Sequence, residues 1–374
     1  MVDATAYQVV ENKVYSYTKT NIKSVKHVFL ESHNIKNPYF GFGQFNYHLI
    51  KAFASLNDPE IRFTLHAKDI DSLKREFGPT FDYRKYRSIT RYPLFRIRKK
   101  YDVWHSLNQN IKIEPARDLP YVLTVHDIHF AKEQAQDPEV TKRFKTKLQR
   151  SSAIVYISEF AKKDTHAHFD VPLVPEYVIY NGNTILDTKL AEDFKPKHQP
   201  SRPYFFSIGE FTERKNFGVL VPMLKNLPDY DLVLAGNTDR PYHDQLLEII
   251  KEYKLENRIH IVGKIDEDTK RYYLAHCEAL VFPSLREGFG IPPIEAMTFG
   301  KPVFLSNNTS LPEIGGQEAF YWDHYDPDYM AQIVRDGLQK SKTDANYAHR
   351  VKAHASTFNW LETAKNYIKV YKAL

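Results

Sequence analysis

The chain has one cysteine, Cys277, in 374 residues, so it forms no internal disulfide, and without a second thiol a cysteine-based zinc site is not expected. Cys277 is expected to be buried packing, as free thiols usually are. No stretch approaches 18 apolar residues, so no membrane-spanning helix is expected. The opening Met-Val-Asp-Ala-Thr-Ala-Tyr-Gln lacks the basic-then-apolar layout of a secretory signal. A cytoplasmic location is the expectation. There is no low-complexity tract and no short-period repeat. Charge is not strongly one-sided either: 52 basic against 46 acidic residues leave +6, too mild an excess at this length to imply a nucleic-acid partner. What remains, 42% hydrophobic and 26% charged residues, describes an ordinary globular protein of two domains.

The charge is unevenly placed. Residues 84–100 carry eight basic side chains, no acid, and Tyr86, Tyr92 and Phe95 between them. Four readings of this segment stay open: a solvated strand-and-loop face, an anionic membrane surface, a phosphate-bearing acceptor, or RNA. Arg84, Lys85, Arg87 and Arg91 are the residues expected to meet an acceptor or a membrane.

Short β-branched or aromatic runs alternate with longer helical patterns, which predicts α/β architecture with parallel sheets. The expected strands of the first half are Lys26–Glu31, Ile61–His66, Tyr101–His105, Tyr121–His126, Ala153–Ser158 and Tyr177–Asn181. Those of the second half are Tyr204–Gly209, Tyr230–Ala235, Ile259–Gly263, Ala279–Pro283, Pro302–Ser306 and Ala319–Tyr321. Two similar series suggest two similar domains, 1–195 and 196–374, joined through the Lys-, Pro-, Asp- and Thr-rich stretch Asn183–Pro203. The first twenty or so residues precede the first strand as a polar extension without an assigned role. A single C-terminal helix, about Asp344–Leu374, should carry Trp360 and Tyr367 as packing anchors and return to the N-terminal domain.

Ligands of open α/β sheets bind at the carboxyl ends of strands, and three loops there stand out. Gly41-Phe42-Gly43-Gln44 precedes a helix with Phe45, Leu49, Phe53 and Leu56 on one face; the glycines would let backbone approach a ligand, although the third glycine of the Rossmann spacing is missing. Glu210-Phe-Thr-Glu-Arg-Lys-Asn216 puts Arg214 and Lys215 at a helix start, a suitable anion site, with Asn216 the expected N-cap. Pro283 to Met297 holds a glycine loop and then a helix begun by prolines. Its backbone N–H groups at Gly288 to Gly290 can face a phosphate or sugar hydroxyl, and Glu287 and Glu295 can accept from hydroxyl pairs at opposite ends of a sugar nucleotide. A glycosidase acid/base pair fits one strand-loop-helix poorly.

The run Glu287-Gly-Phe-Gly-Ile-Pro-Pro-Ile-Glu295 resembles the E-x7-E signature of the retaining GT-B glycosyltransferases of family 4. Gly209 through Arg214-Lys215-Asn216 is similar to that family's diphosphate loop, and Thr124-Val125-His126-Asp127 to its His-Asp motif. Ile157-Ser158-Glu159-Phe160, Ile179-Tyr180-Asn181-Gly182 and Leu311-Pro312-Glu313 also have counterparts. The similarity runs from about Lys26 to the C-terminus. It implies two Rossmann-like domains facing across a cleft, with a nucleotide-sugar donor held mainly by the second and an acceptor by the first.

By that resemblance Arg214 and Lys215 hold the diphosphate, Glu295 the ribose hydroxyls, and Glu287 with the Gly288-Phe289-Gly290 backbone the transferred hexose. The base lies near Lys264 and Ile265, His126 at the reacting face, and Gly43 and Gly209 close to the phosphates. Glu210 departs from the small residue often found beside the diphosphate loop, which leaves the path of that loop open.

Three Asp-x-Asp sequences, at Asp69, Asp266 and Asp326, are read as helix caps or loop markers rather than metal ligands, and His126-Asp-Ile-His129 lacks a third zinc ligand. Metal-independent, cofactor-free transfer is expected, with retention as the family implication. GDP-mannose is narrowly preferred as donor over UDP-glucose, UDP-galactose and UDP-GlcNAc, and the acceptor is a glycan or lipid-linked saccharide. The alternatives are a non-enzymatic RNA- or membrane-surface-binding protein and a sugar phosphorylase. The sequence does not indicate the oligomeric state.

Overall fold

The computed structural model describes residues 25–36, 41–128, 138–185, 188–191 and 193–374; the N-terminal extension and His129 lie outside them. Two sheets, parallel at every pairing, organise the chain. The first holds β1 (Lys26–Glu31), β2 (Ile61–Ala67), β3 (Asp82–Lys85), β4 (Val103–Ser106), β5 (Tyr121–Val125), β6 (Ala153–Tyr156) and β7 (Glu176–Val178). Its strand order is β3-β2-β1-β4-β5-β6-β7. The second holds β8 (Tyr204–Ile208), β9 (Asp231–Ala235), β10 (Ile259–Gly263), β11 (Ala279–Phe282), β12 (Val303–Ser306) and β13 (Phe320–Trp322), in the order β10-β9-β8-β11-β12-β13. Each order reverses between its first and fourth strands, which opens a crevice at the carboxyl edge of the sheet.

The central strands are readable because both faces are covered. Every residue of β5 and β11 is buried, as continuous apolar runs in parallel sheets should be. β3 was not among the expected strands. It is the edge of its sheet, half exposed, and its sequence Asp-Tyr-Arg-Lys is polar, a composition that discourages pairing with other chains and leaves little apolar signal. Arg84 and Lys85 are therefore strand residues.

The expected single C-terminal helix is two, Tyr347–Ser356 and Trp360–Ala373. Tyr347, Val351 and Ala355 of the first belong to the core of the second sheet, whereas Trp360, Tyr367 and Tyr371 of the second are buried in the core of the first. The break is where the chain crosses between domains, and the Asn359 side chain caps the new helix by accepting from Leu361 N. A buried polar network fastens that helix to the sheet. Tyr371 Oη lies 2.7 Å from His105 Nδ1, His105 Nε2 2.8 Å from Thr124 Oγ1, and Thr124 Oγ1 2.9 Å from Tyr367 Oη. Burial, with His126 nearby, pushes the His105 pKa down to about 3.

Cys277 is buried as expected, and burial pushes its thiol up to about 12. Asp69, Asp266 and Asp326 each cap a helix, accepting from the backbone N–H three residues on. Gly41 and Gly43 form the first turn of the helix Gly41–Leu56, not a loop before it. Among the described residues no helix is long and apolar enough to cross a membrane.

Candidate active site

In the second sheet the strand order reverses between β8 and β11, so the segments leaving those strands meet although they lie about 70 positions apart in sequence. After β8 the chain passes Gly209, whose N–H donates to Ala235 O, and turns through a short 3-10 segment, Glu213–Lys215. Asn216 then takes a left-handed conformation (φ 53°) and makes no side-chain cap; the expected N-cap is instead the residue that reverses the chain before the helix Leu220–Lys225. The turn folds Lys215 back over Gly209, where a Cβ would stand 2.9 Å from Lys215 Cε.

After β11 the chain reaches Glu287, whose two carboxylate oxygens take the two cations. Lys215 Nζ lies 2.5 Å from Oε1 and Arg214 Nη1 3.2 Å from Oε2. Arg214 also donates to Arg286 O (2.7 Å), and Lys215 Nζ lies over the Phe282 ring, 4.8 Å from its centroid. The cluster is two positive charges on one negative. Burial would raise the Glu287 pKa, but Lys215 and Arg214 hold it below the usual carboxylate range. Burial also lowers the Lys215 pKa, with Arg214 adding to the effect against the opposing pull of Glu287. Glu210, the doubtful acid of this loop, is turned onto Arg240, whose Nε donates to Glu210 Oε1 at 2.8 Å.

Gly290 (φ 105°) reverses the chain into the helix Ile291–Thr298, which carries Glu295. That carboxylate is buried, and its Oε1 accepts from Lys270 Nζ (2.7 Å) and from Thr184 Oγ1. Coulomb attraction to Glu295 and Glu267 outweighs burial and raises the Lys270 pKa. Lys264 and Ile265 follow β10, two strands from β8, with Lys264 exposed. The Phe289 side chain is buried in the first core near Tyr180 and Phe358, so only its backbone is left to meet a ligand.

The first domain closes on this loop. His126 follows β5 directly and is 6% exposed; its Nε2 lies 2.9 Å from Leu107 O, and its ring meets Phe42 and Phe45 edge-on, with centroids 4.9 and 4.6 Å away. Burial, only partly opposed by Leu107 O and Asp127, pushes its pKa down to about 4, so the imidazole is neutral at pH 7. His126 O is so near Gly288 that a Cβ there would be 2.3 Å from it.

Around this contact Ser158 Oγ donates to Gly288 O (2.7 Å), and Glu313 accepts from the backbone N–H groups of Glu159 (2.7 Å) and Phe160 (3.1 Å). Arg286 pairs with Asp164. The runs Ile157–Phe160 and Leu311–Glu313, which resembled family motifs separately, are thus two halves of one domain contact.

Residues 188–354 match the family described as glycosyl transferases group 1. The O-antigen chain mannosyltransferase B of Escherichia coli is 27% identical over 91% of this chain and 98% of its own length. The serotype-specific mannosyltransferase WbdA of Escherichia coli is 29% identical over 67% of this chain, an alignment that spans 33% of WbdA. Among solved structures, Anabaena HepE in complex with UDP-glucose superposes with a TM-score of 0.71 at 18% identity, covering 93% of this chain and 100% of that one. The chain is a glycosyltransferase of GT-B fold, and its match to group 1 lies in the second domain.

Within the glycosyltransferase the structure gathers Arg214, Lys215, Glu287, Gly288 and His126 at one place. Gly43 is buried in the first turn of the helix whose Phe42 and Phe45 flank His126. Arg87 and Arg91 are exposed beyond β3. Sequence reasoning missed Lys270 as the counter-charge of Glu295, and nothing local to Lys270 signals it. It also missed His33, Glu31 and His66, for which the only hint was their place at the ends of β1 and β2.

Proposed function

We propose that this glycosyltransferase moves a hexose, mannose by preference, from a nucleotide-diphospho-sugar to a glycan or lipid-linked acceptor, with retention and without a metal. The observation that carries the reading is the Arg214–Lys215–Glu287 cluster set against His126. Glycosyl transfer builds negative charge on the departing diphosphate and positive charge at the anomeric carbon. Arg214 and Lys215 answer the first, and Glu287, already ionised and held by both cations, supplies an acceptor for hexose hydroxyls. A neutral His126 can share a hydrogen bond with the hexose or the incoming hydroxyl without adding positive charge beside the forming cation. Glu295, fixed by Lys270, is the ribose acceptor, and Gly209, Gly288 and Gly290 let the backbone approach. The donor phosphate oxygen is the base for the acceptor hydroxyl, and closure at Gly288 excludes water.

Preference for mannose rests on the two mannosyltransferase relatives. The HepE complex contains UDP-glucose, which keeps UDP-hexoses as the competing donors. Between Ile89 and Phe95 the side chains of Ile89, Tyr92, Leu94 and Phe95 are exposed beside Arg87 and Arg91, a mixture suited to the anionic face of a membrane. Incubation with GDP-mannose, UDP-glucose, UDP-galactose and UDP-GlcNAc, following nucleoside diphosphate release, tests the activity. Release from GDP-mannose above the others is expected. Release from none, with or without added glycans, would remove the proposal.

A further inference from the structure

The first sheet has its own reversal of strand order, between β1 and β4, and a cavity of about 210 Å³ opens there. It is lined by His33, Asn34, Tyr86, Arg91, Asn110 and Lys112, with Phe42 and the buried Ile111 and Ile113 as its apolar wall. The site already described lies at the equivalent point of the other sheet. Phe42 touches both: it lines the cavity, and its ring packs edge-on against His126.

Three features of the lining point to one kind of ligand. The His33 and Tyr86 rings are stacked, with centroids 4.7 Å apart and planes 17° apart, and His33 is held in place by Glu31. Glu31 Oε2 lies 2.7 Å from His33 Nδ1, while Oε1 lies 2.8 Å from His66 Nδ1. Burial would raise the Glu31 pKa, but the two imidazoles keep it low, so an ionised carboxylate sits behind the platform and fixes the ring orientation. Asn110 contributes an amide oxygen that is buried and has no hydrogen-bond partner among the described residues, an acceptor waiting for a hydroxyl. Arg91 and Lys112 supply two cations, and among the described residues no acid lines the cavity and neither cation forms an ion pair. A flat aromatic platform, a hydroxyl acceptor and two cations without an ion pair together suit a sugar ring with a phosphate attached.

We propose that this cavity is the acceptor subsite and that it takes an anionic saccharide, a sugar unit bearing a phosphate or diphosphate ester. The proposal rests on the glycosyltransferase reading above and names the acceptor class for it. Phosphate oxygens meet Arg91 and Lys112, and the sugar lies on the His33–Tyr86 platform with a hydroxyl on Asn110. Its far side then points past Phe42 toward His126.

The test is calorimetry on the full chain with the donor site filled by GDP or UDP, titrating glucose 1-phosphate against methyl glucoside. Arg91→Ala, Lys112→Ala and the double variant are compared, all at exposed positions. Phosphatidylglycerol vesicles without sugar form a separate arm. The expected result is binding of glucose 1-phosphate at least tenfold tighter than of methyl glucoside, weakened at least tenfold in the double variant, with GDP or UDP affinity unchanged. Equal affinity for the two sugars, indifference to both substitutions, or a loss confined to vesicle binding would overturn the proposal. If sugar phosphate binds in the expected way but neither nucleotide does, the donor reading fails and the anionic subsite stands.

Discussion

Replacing Glu287 by Gln should separate donor binding from sugar transfer. In the native cluster Lys215 and Arg214 share one carboxylate, at 2.5 and 3.2 Å, so an arriving diphosphate meets a net charge of about +1. Glutamine keeps the shape and removes the negative charge, which leaves +2. Taking away one partner of a buried ion pair costs on the order of 3 kcal/mol of stability. The same change also removes repulsion between the carboxylate and the incoming phosphate. At a separation of about 6 Å and an effective dielectric of about 20 that repulsion is about 3 kcal/mol. Even half of it is about tenfold in Kd. Glu287→Gln is therefore expected to melt earlier than the native chain, to bind GDP or UDP about tenfold more tightly, and to recover part of its lost stability when the nucleotide is added. Transfer should fall by about 100-fold, because the hexose loses its ionised acceptor, a change of about 2.7 kcal/mol in the barrier. Calorimetry and thermal unfolding with and without nucleotide read the first three quantities, and product formation from the nucleotide sugar reads the fourth. A folded variant with unchanged or weaker nucleotide affinity would refute the electrostatic reasoning.

Acid should weaken the fold before it weakens the chemistry. Burial depresses His48, His105 and His126 from 6.5 to about 4, 3 and 4, so stability is complete above about pH 6.5 and is lost as pH falls from there toward the folded values. At pH 5 each imidazole costs about 2 kcal/mol, from about 1.5 pH units at 1.36 kcal/mol each. Thermal midpoints should be level from pH 8 to 7 and decline steadily below 6.5, while the rate profile shows no inflection near 6.5; an inflection there contradicts a neutral His126. Gly288→Ala must move His126 O, since the new Cβ would lie 2.3 Å from it. Transfer should drop more than about tenfold with a larger radius of gyration by small-angle scattering, and an unchanged radius and rate would deny the close approach. Glu313→Gln removes the ionised acceptor from the start of the helix Glu159–His168 and should cost about 1 kcal/mol of stability in denaturant titration. No change in midpoint would mean that the domain contact does not depend on it.

The strands were legible where burial on both faces leaves an apolar run, as in β5 and β11, and not where a strand forms a polar edge, as in β3. The glycine loop, Arg214, Lys215 and Glu287 were each visible, but as separate motifs with separate tasks. Their union in one ion cluster follows from the strand order, which no local pattern encodes. The break between the last two helices was hidden for a similar reason. Asn359 becomes a cap only because Trp360 and Tyr367 are drawn to the other domain's core, while the residues before it stay behind. Glu295 was visible through its spacing from Glu287, but its partner Lys270 comes from another helix, and Glu31 meets His66 from a neighbouring strand; neither Lys270 nor His66 carries a spacing that would announce the pairing.

In the proposed reaction Arg214 and Lys215 grip the donor's diphosphate, and Arg214 is the more exposed of the two. Calorimetric titration of GDP and UDP into the native chain and into Arg214→Ala should show one nucleotide bound, with its Kd raised at least about tenfold by the loss of a charge-assisted contact. Identical heats and affinities in the two proteins would mean that Arg214 does not hold the diphosphate.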